Sequence, residues 1–312
     1  MSFDLKILAN GASKAIQLMD QANGTMVEIH CKGGLMNRWT VQNEGQALEL
    51  ILGNEGEADY EKNGFRSGKM SPFSCRIDGG KYQIDNQTFK FEKFYLGEHA
   101  LHGLIYDAEF SILSTEVHHN YAQVILTSSY QATDPGYPFS YEIQIQWNLY
   151  KDNLIGIKTT IVNLSNVTIP LMDAWHPYFT LGGEVDQYQL EFQSNATLLM
   201  RDDLIPSGAI KHENLFQDGL QIDNLHLDDC FLLDPIQNKI KLSYAGKSIT
   251  VTPKHNYPYL QLYTPDDRNS IAIENLSGAP DCFNNKMGLQ QLEPQGQIYF
   301  ETTYQFNTTS QP

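Results

Sequence analysis

Positive charge is scarce in this chain. Its 312 residues carry 21 Lys and Arg against 37 Asp and Glu, a formal net charge of −16. No basic cluster offsets that balance, and so acidic a chain repels phosphate backbones, which argues against nucleic-acid binding and against docking on anionic membranes. Long apolar runs are missing as well. None approaches the roughly 20 residues that span a bilayer, and the opening MSFDLKILANGASKAIQLMD has polar residues through any would-be signal core. Four cysteines, Cys31, Cys75, Cys230 and Cys282, stand far apart with no CxxC pair, which argues against a disulfide scaffold and against a zinc site. A soluble, cytoplasmic, globular protein is the expectation.

Helical periodicity is also wanting; Lys14–Gln21 reads as one or two short turns at most. What is present is the rhythm of strands. Tyr141, Ile143, Ile145, Trp147 and Leu149 alternate with Glu142, Gln144, Gln146 and Asn148, and the same period of two recurs at Tyr188, Leu190 and Phe192 and at Phe300, Thr302, Tyr304 and Phe306. Seventeen Tyr and fifteen Phe suit pleated, half-buried surfaces. Turn signals such as Asp78-Gly79-Gly80, Asp134-Pro135-Gly136 and Ala245-Gly246 punctuate the strands. Strands at short spacing without crossover helices predict an all-β protein, a large antiparallel β-sandwich. No change of composition divides the chain, so one domain over 1–312 is expected.

Four segments hold the polar groups an enzyme would use. Arg76 sits between Phe73 and Ile77, where it must either snorkel or turn its fork of donors into a cleft. His102 follows Leu101; taken alone it reads as a structural histidine. His176 lies in Asp173-Ala174-Trp175-His176-Pro177-Tyr178-Phe179, and a histidine near its reference pKa of about 6.5 would put a limb in a pH–rate profile there. Glu274 follows the apolar run Ile271-Ala272-Ile273, where a carboxylate is costly unless paired or used; burial would raise its pKa toward that of a useful base. Asp228 supplies a further acceptor for a polyol. The His118-His119 pair is no metal site on this pattern, since neighbours on a strand point to opposite faces.

Taken in order, Pro72-Phe73 with Arg76-Ile77, Leu101-His102-Gly103, His176-Pro177-Tyr178-Phe179 and Ile273-Glu274 resemble the aldose 1-epimerases (galactose mutarotases). Gly136-Tyr137-Pro138 and Leu292-Glu293-Pro294 support the resemblance, which runs through almost the whole chain. It implies a β-sandwich of the supersandwich kind with a sugar cleft on one sheet. It also implies Glu274 as the base on the anomeric hydroxyl, His176 as the acid on the ring oxygen, His102 beside that oxygen, and Arg76 and Asp228 on sugar hydroxyls. The implied reaction needs no cofactor and no metal, which agrees with the lack of a GxGxxG loop or P-loop. The segment Leu104-Ile105-Tyr106-Asp107 and the Trp175 before the second histidine mark a divergent branch.

Three other readings share parts of this pattern. A hexose-6-phosphate epimerase would add a basic pocket, but the chain has only five arginines. A non-catalytic sugar-binding protein would be favoured by loss of the His or Glu, and both are present. A glycoside hydrolase needs two flanking carboxylates, which Glu274 and Asp228 could mimic. Aromatic side chains Trp175, Tyr178 and Tyr263 are candidates to stack on a sugar, with core packing as the plainer role.

Overall fold

The computed structural model describes residues 2–56, 59–60 and 66–308. Strand alternation dictates its architecture. In Ser140–Tyr150 the residues Tyr141, Ile143, Ile145 and Trp147 are buried while Glu142, Gln144 and Gln146 stay partly exposed, so one face of the strand seeks a partner layer. That strand belongs to a nine-stranded antiparallel sheet. Its order is Ser111–Val117, Tyr121–Gln131, Ser140–Tyr150, Leu154–Asn163, Gln297–Thr308, Lys247–His255, Ile240–Tyr244, Gln189–Glu191 and Leu220–Gln221. A second, eight-stranded antiparallel sheet runs Pro206–Lys211, Ser194–Met200, Asp228–Leu233, Tyr259–Tyr263, Ile271–Leu276, Ala174–Trp175 and Lys69–Met70, with Tyr178–Phe179 also paired to Ile271–Leu276.

The two sheets pack face to face. Trp147 meets Trp175 edge-on at 5.1 Å, Phe179 meets Tyr304 at 5.2 Å, and the Thr302 hydroxyl donates to Asn275 Oδ1 at 2.7 Å. Each aromatic buried this way removes a large apolar area from water, at roughly 25 cal/mol per Å². Most of the buried apolar side chains form one cluster from Phe3 to Phe306, and Leu35, Tyr60 and Tyr106 form a small second one.

A five-stranded meander, Phe3–Asn10, Ser13–Asp20, Thr25–His30, Met36–Asn43 and Gln46–Glu49, precedes these sheets. The segment expected to turn as helix, Lys14–Gln21, is the second of these strands through Asp20. It pairs on both sides, with Phe3–Asn10 and with Thr25–His30. Eight residues are too few for a stable isolated helix, and Ile16 and Leu18, at strand spacing, are fully buried. The strand placement assumed for His118 and His119 also fails. His118 and His119 lie just beyond Ser111–Val117, in the turn before Tyr121–Gln131, and their rings face one another at 3.9 Å instead of pointing apart. Period two governs strands, and it lapses where the chain reverses.

Candidate active site

The strand Ile271–Leu276 is buried along its whole length, because it is covered on both faces. Asn275 points toward the nine-stranded sheet, where it meets Thr302. The pleat therefore turns Glu274 to the opposite face, where it lines a cavity of about 390 Å³. The cavity size is that of a small-molecule site. On the neighbouring strand Gln261 stands directly opposite Glu274, and Tyr263 stands opposite both Ala272 and Asp228. Three adjacent strands thus deliver Glu274, Gln261, Tyr263 and Asp228 to one surface, and the Gln261 amide donates to Asp228 Oδ1 at 2.7 Å.

Loops cover that surface. Arg76 pairs with Leu101 in a short antiparallel bridge, which places His102 next in line. His102 takes a left-handed backbone, φ 56°, and Gly103 follows at φ 81°. The chain passes so close to its neighbour that a Cβ on Gly103 would stand 2.4 Å from the Ser71 carbonyl oxygen. Glycine is required there twice over, by the positive φ and by the contact. Gly103→Ala is expected to cost about 2 kcal/mol or more and to displace His102; thermal melting and an activity assay read the two effects together.

His176 is fixed by its main chain. Its N–H donates to the Gly68 carbonyl at 3.2 Å, and its own carbonyl accepts from the Ser67 N–H at 2.9 Å. Tyr178, two residues on, stacks on the imidazole at 4.8 Å with only 6° between the planes. The His176 ring lies 5.1 Å from that of His102, and its Nε2 is 3.4 Å from Glu274 Oε1.

All five side chains singled out from the sequence, Arg76, His102, His176, Asp228 and Glu274, line this one cavity. Tyr178 and Tyr263 line it too, whereas Trp175 does not: it is buried in the sandwich against Trp147 with the Lys69 ammonium 4.4 Å over its ring. Gln261 escaped the sequence reading. The signal was a single polar residue in Tyr259-Leu260-Gln261-Leu262-Tyr263, an apolar strand pattern that spends a buried position on an amide.

The electrostatics are those of a covered site. Burial, reinforced by the charge of Asp228, raises the Glu274 carboxyl well above the usual carboxylate range. Burial also pushes the His176 imidazole down to about 3, and burial lowers His102 as well, helped by His176 and Arg76. The limb near 6.5 expected from an ordinary histidine is therefore displaced. Asp228 is raised by burial, with Arg76 pulling the other way. Four covered polar atoms here lack any protein partner: Nδ1 of His102, Nδ1 of His176, Oε1 of Gln261 and Oε2 of Glu274. Unpaired buried polar atoms are costly, and a ligand rich in hydroxyls would satisfy them.

In overall architecture the chain matches proteins of the galactose mutarotase type. A galactose mutarotase-like protein from Clostridium acetobutylicum superposes with a TM-score of 0.86 at 16% identity over 99% of each chain. Galactose 1-epimerase from Lactobacillus acidophilus does so at 0.83 with 17% identity over 98% of each. The chain belongs to the aldose 1-epimerase family, whose model matches residues 15–305. It is an enzyme of the isomerase class. Maltose epimerase of Levilactobacillus brevis is 23% identical over 293 residues, covering 85% of this chain and 80% of that protein. An aldose 1-epimerase of Escherichia coli is 24% identical over 223 residues, 68% of this chain and 57% of that enzyme. Among the described residues no helix is long and apolar enough to cross a membrane.

Proposed function

We propose that this chain, acting as one domain, interconverts the α and β anomers of a free hexose such as galactose or glucose. The observation that carries the reading is the 3.4 Å approach of Glu274 Oε1 to His176 Nε2 on the wall of a cavity with unpaired polar atoms. Opening a hemiacetal takes one proton from O1 and puts one on O5. Glu274 removes the first and His176 supplies the second. Rotation about C1–C2 then presents the other aldehyde face, and ring closure reverses both transfers. Each positioned transfer contributes about 10²–10⁴-fold. His102 orients and polarises the ring oxygen, while Arg76 and Asp228 hold hydroxyls.

A free sugar is favoured over a phosphosugar. Arg76 is the one cation among the described lining residues, and it stands with two carboxylates, Asp228 and Glu274. With Asp228 beside Arg76, the wall offers a phosphate dianion no cluster of positive charge. Arg76→Ala should raise KM about tenfold while moving Tm little, because the side chain is only half-buried; initial rates across sugar concentrations and a thermal melt test this.

The deciding assay is polarimetry or proton NMR on freshly dissolved α-D-galactose and α-D-glucose. The protein should speed the approach to the anomeric equilibrium. Acceleration confined to glucose 6-phosphate would favour the phosphosugar reading. Binding of the free sugars without acceleration would make this a sugar-binding protein on an enzyme's fold.

A further inference from the structure

The deep part of the cavity is polar, but part of its outer wall is apolar. Leu96, 53% exposed, and the half-buried Leu204 line it where it meets solvent. Leu204 has φ 62°, in the left-handed region, where a bulky side chain is an outlier and glycine is at ease. Strain of that kind persists only when the surroundings enforce it, and it clusters at functional sites. The surroundings here are a charged network. Arg201 donates through Nε and Nη2 to the two carboxylate oxygens of Asp203, at 2.9 and 2.6 Å, and through Nη1 to Asp78 Oδ2 at 2.9 Å. Asp78 lies two residues beyond Arg76, and its own N–H donates to Asp281 Oδ1 at 3.0 Å. His99 packs between the two acids, its Nδ1 accepting from the Gly79 N–H at 3.1 Å and its Nε2 3.5 Å from Asp203. Within the turn, the Leu204 N–H bonds to the Arg201 carbonyl at 3.0 Å and the Arg201 N–H to that of Ile205 at 2.8 Å. Anchoring Arg201 therefore anchors Leu204.

We propose that Leu204 is a specificity-determining residue, a wall that bars aldoses carrying a second sugar on the reducing ring, and that the Arg201–Asp203–Asp78 network is the latch holding it in place. The proposal rests on the sugar-epimerase reading of the cavity. A free monosaccharide fits beneath the wall, and a disaccharide of the same reducing sugar meets the isobutyl group. The fork of Arg201 gives the latch a defined geometry, which a lysine would not. Because its members are exposed, salt weakens it.

The test compares anomerisation of galactose and glucose with that of lactose and maltose, for the wild type, Leu204→Gly, Leu204→Ala and Arg201→Ala. Leu204→Gly should raise the disaccharide-to-monosaccharide ratio of kcat/KM about tenfold or more, the scale on which removing apolar wall groups changes discrimination. It should also melt no lower than the wild type, since glycine relieves the φ. Should it misfold, Leu204→Ala carries the same expectation with a smaller change. Arg201→Ala should shift the ratio in the same direction, about threefold, and 1 M salt should bring the wild type toward it. A ratio unchanged in folded Leu204 variants overturns the wall, as does a wild type that already turns over lactose or maltose as well as the monosaccharides. A ratio unchanged in Arg201→Ala overturns the latch. A wild type inactive on every sugar would instead sink the epimerase reading itself, so the two failures are distinct.

Discussion

Glu274→Gln is expected to lower kcat by about 10²–10⁴-fold and, at neutral and alkaline pH, to make the protein more stable. The loss of rate follows from removing the proposed base while keeping its shape. The gain in stability follows from burial. In the folded chain the carboxyl titrates well above its ordinary value, so the native state holds that proton more tightly than the unfolded chain does. The stability this confers is fully present below the unfolded value of about 4.3 and is lost as pH rises through the folded value. Above it the wild type must keep a carboxylate among buried groups, which glutamine avoids. Melting the two proteins from pH 4 to pH 9 should give coincident curves at the acid end and a widening advantage for the variant, each kcal/mol appearing as about 2–4 °C. A variant that keeps wild-type turnover would remove Glu274 from the mechanism. One that melts lower at pH 8 would contradict the buried-charge account.

The pH–rate profile carries the second large effect, and counting protons fixes its form. Base and acid act as a carboxylate and an imidazolium, so the working pair holds one proton. Burial favours the same single proton on the carboxyl, leaving His176 neutral, and the two arrangements differ only by a shift across 3.4 Å. Activity should therefore fall on the alkaline side as the pair loses its one proton, above the raised Glu274 value. On the acid side it should fall only as a second proton binds, toward about 3. No acid limb belongs at 6.5. Removing the imidazole with His176→Asn should reduce kcat by about 10²–10⁴-fold, and adding Glu274→Gln to it should cost little more, because the two groups act as a unit. A rate rising with pH through 6.5, kept in His176→Asn, would assign the titration elsewhere.

Apolar periodicity along the chain was enough to determine that this is a strand protein. Local alternation in segments such as Ser140–Tyr150 and Gln297–Thr308 reports directly which face is buried. It also exposed the costly residues: a Glu in an apolar strand, a His beside Pro, an Arg between apolar neighbours. Where the local signal was weak it misled. Lys14–Gln21 became a strand because two neighbours pair with it, and the His118–His119 turn broke the alternation. Gln261 acquired a role only through register, since it stands opposite Glu274 across the ladder, 13 residues away in the chain. The same holds for the meeting of Glu274 with His176, for the depressed imidazoles, and for Leu204 lining the cavity from a turn whose Arg201 is bonded to Asp78. Burial pattern is a property of neighbours in sequence, so the chain alone determined it. Distance, desolvation and proton sharing between remote groups depend on strand pairing and loop closure, so only the tertiary structure decided them.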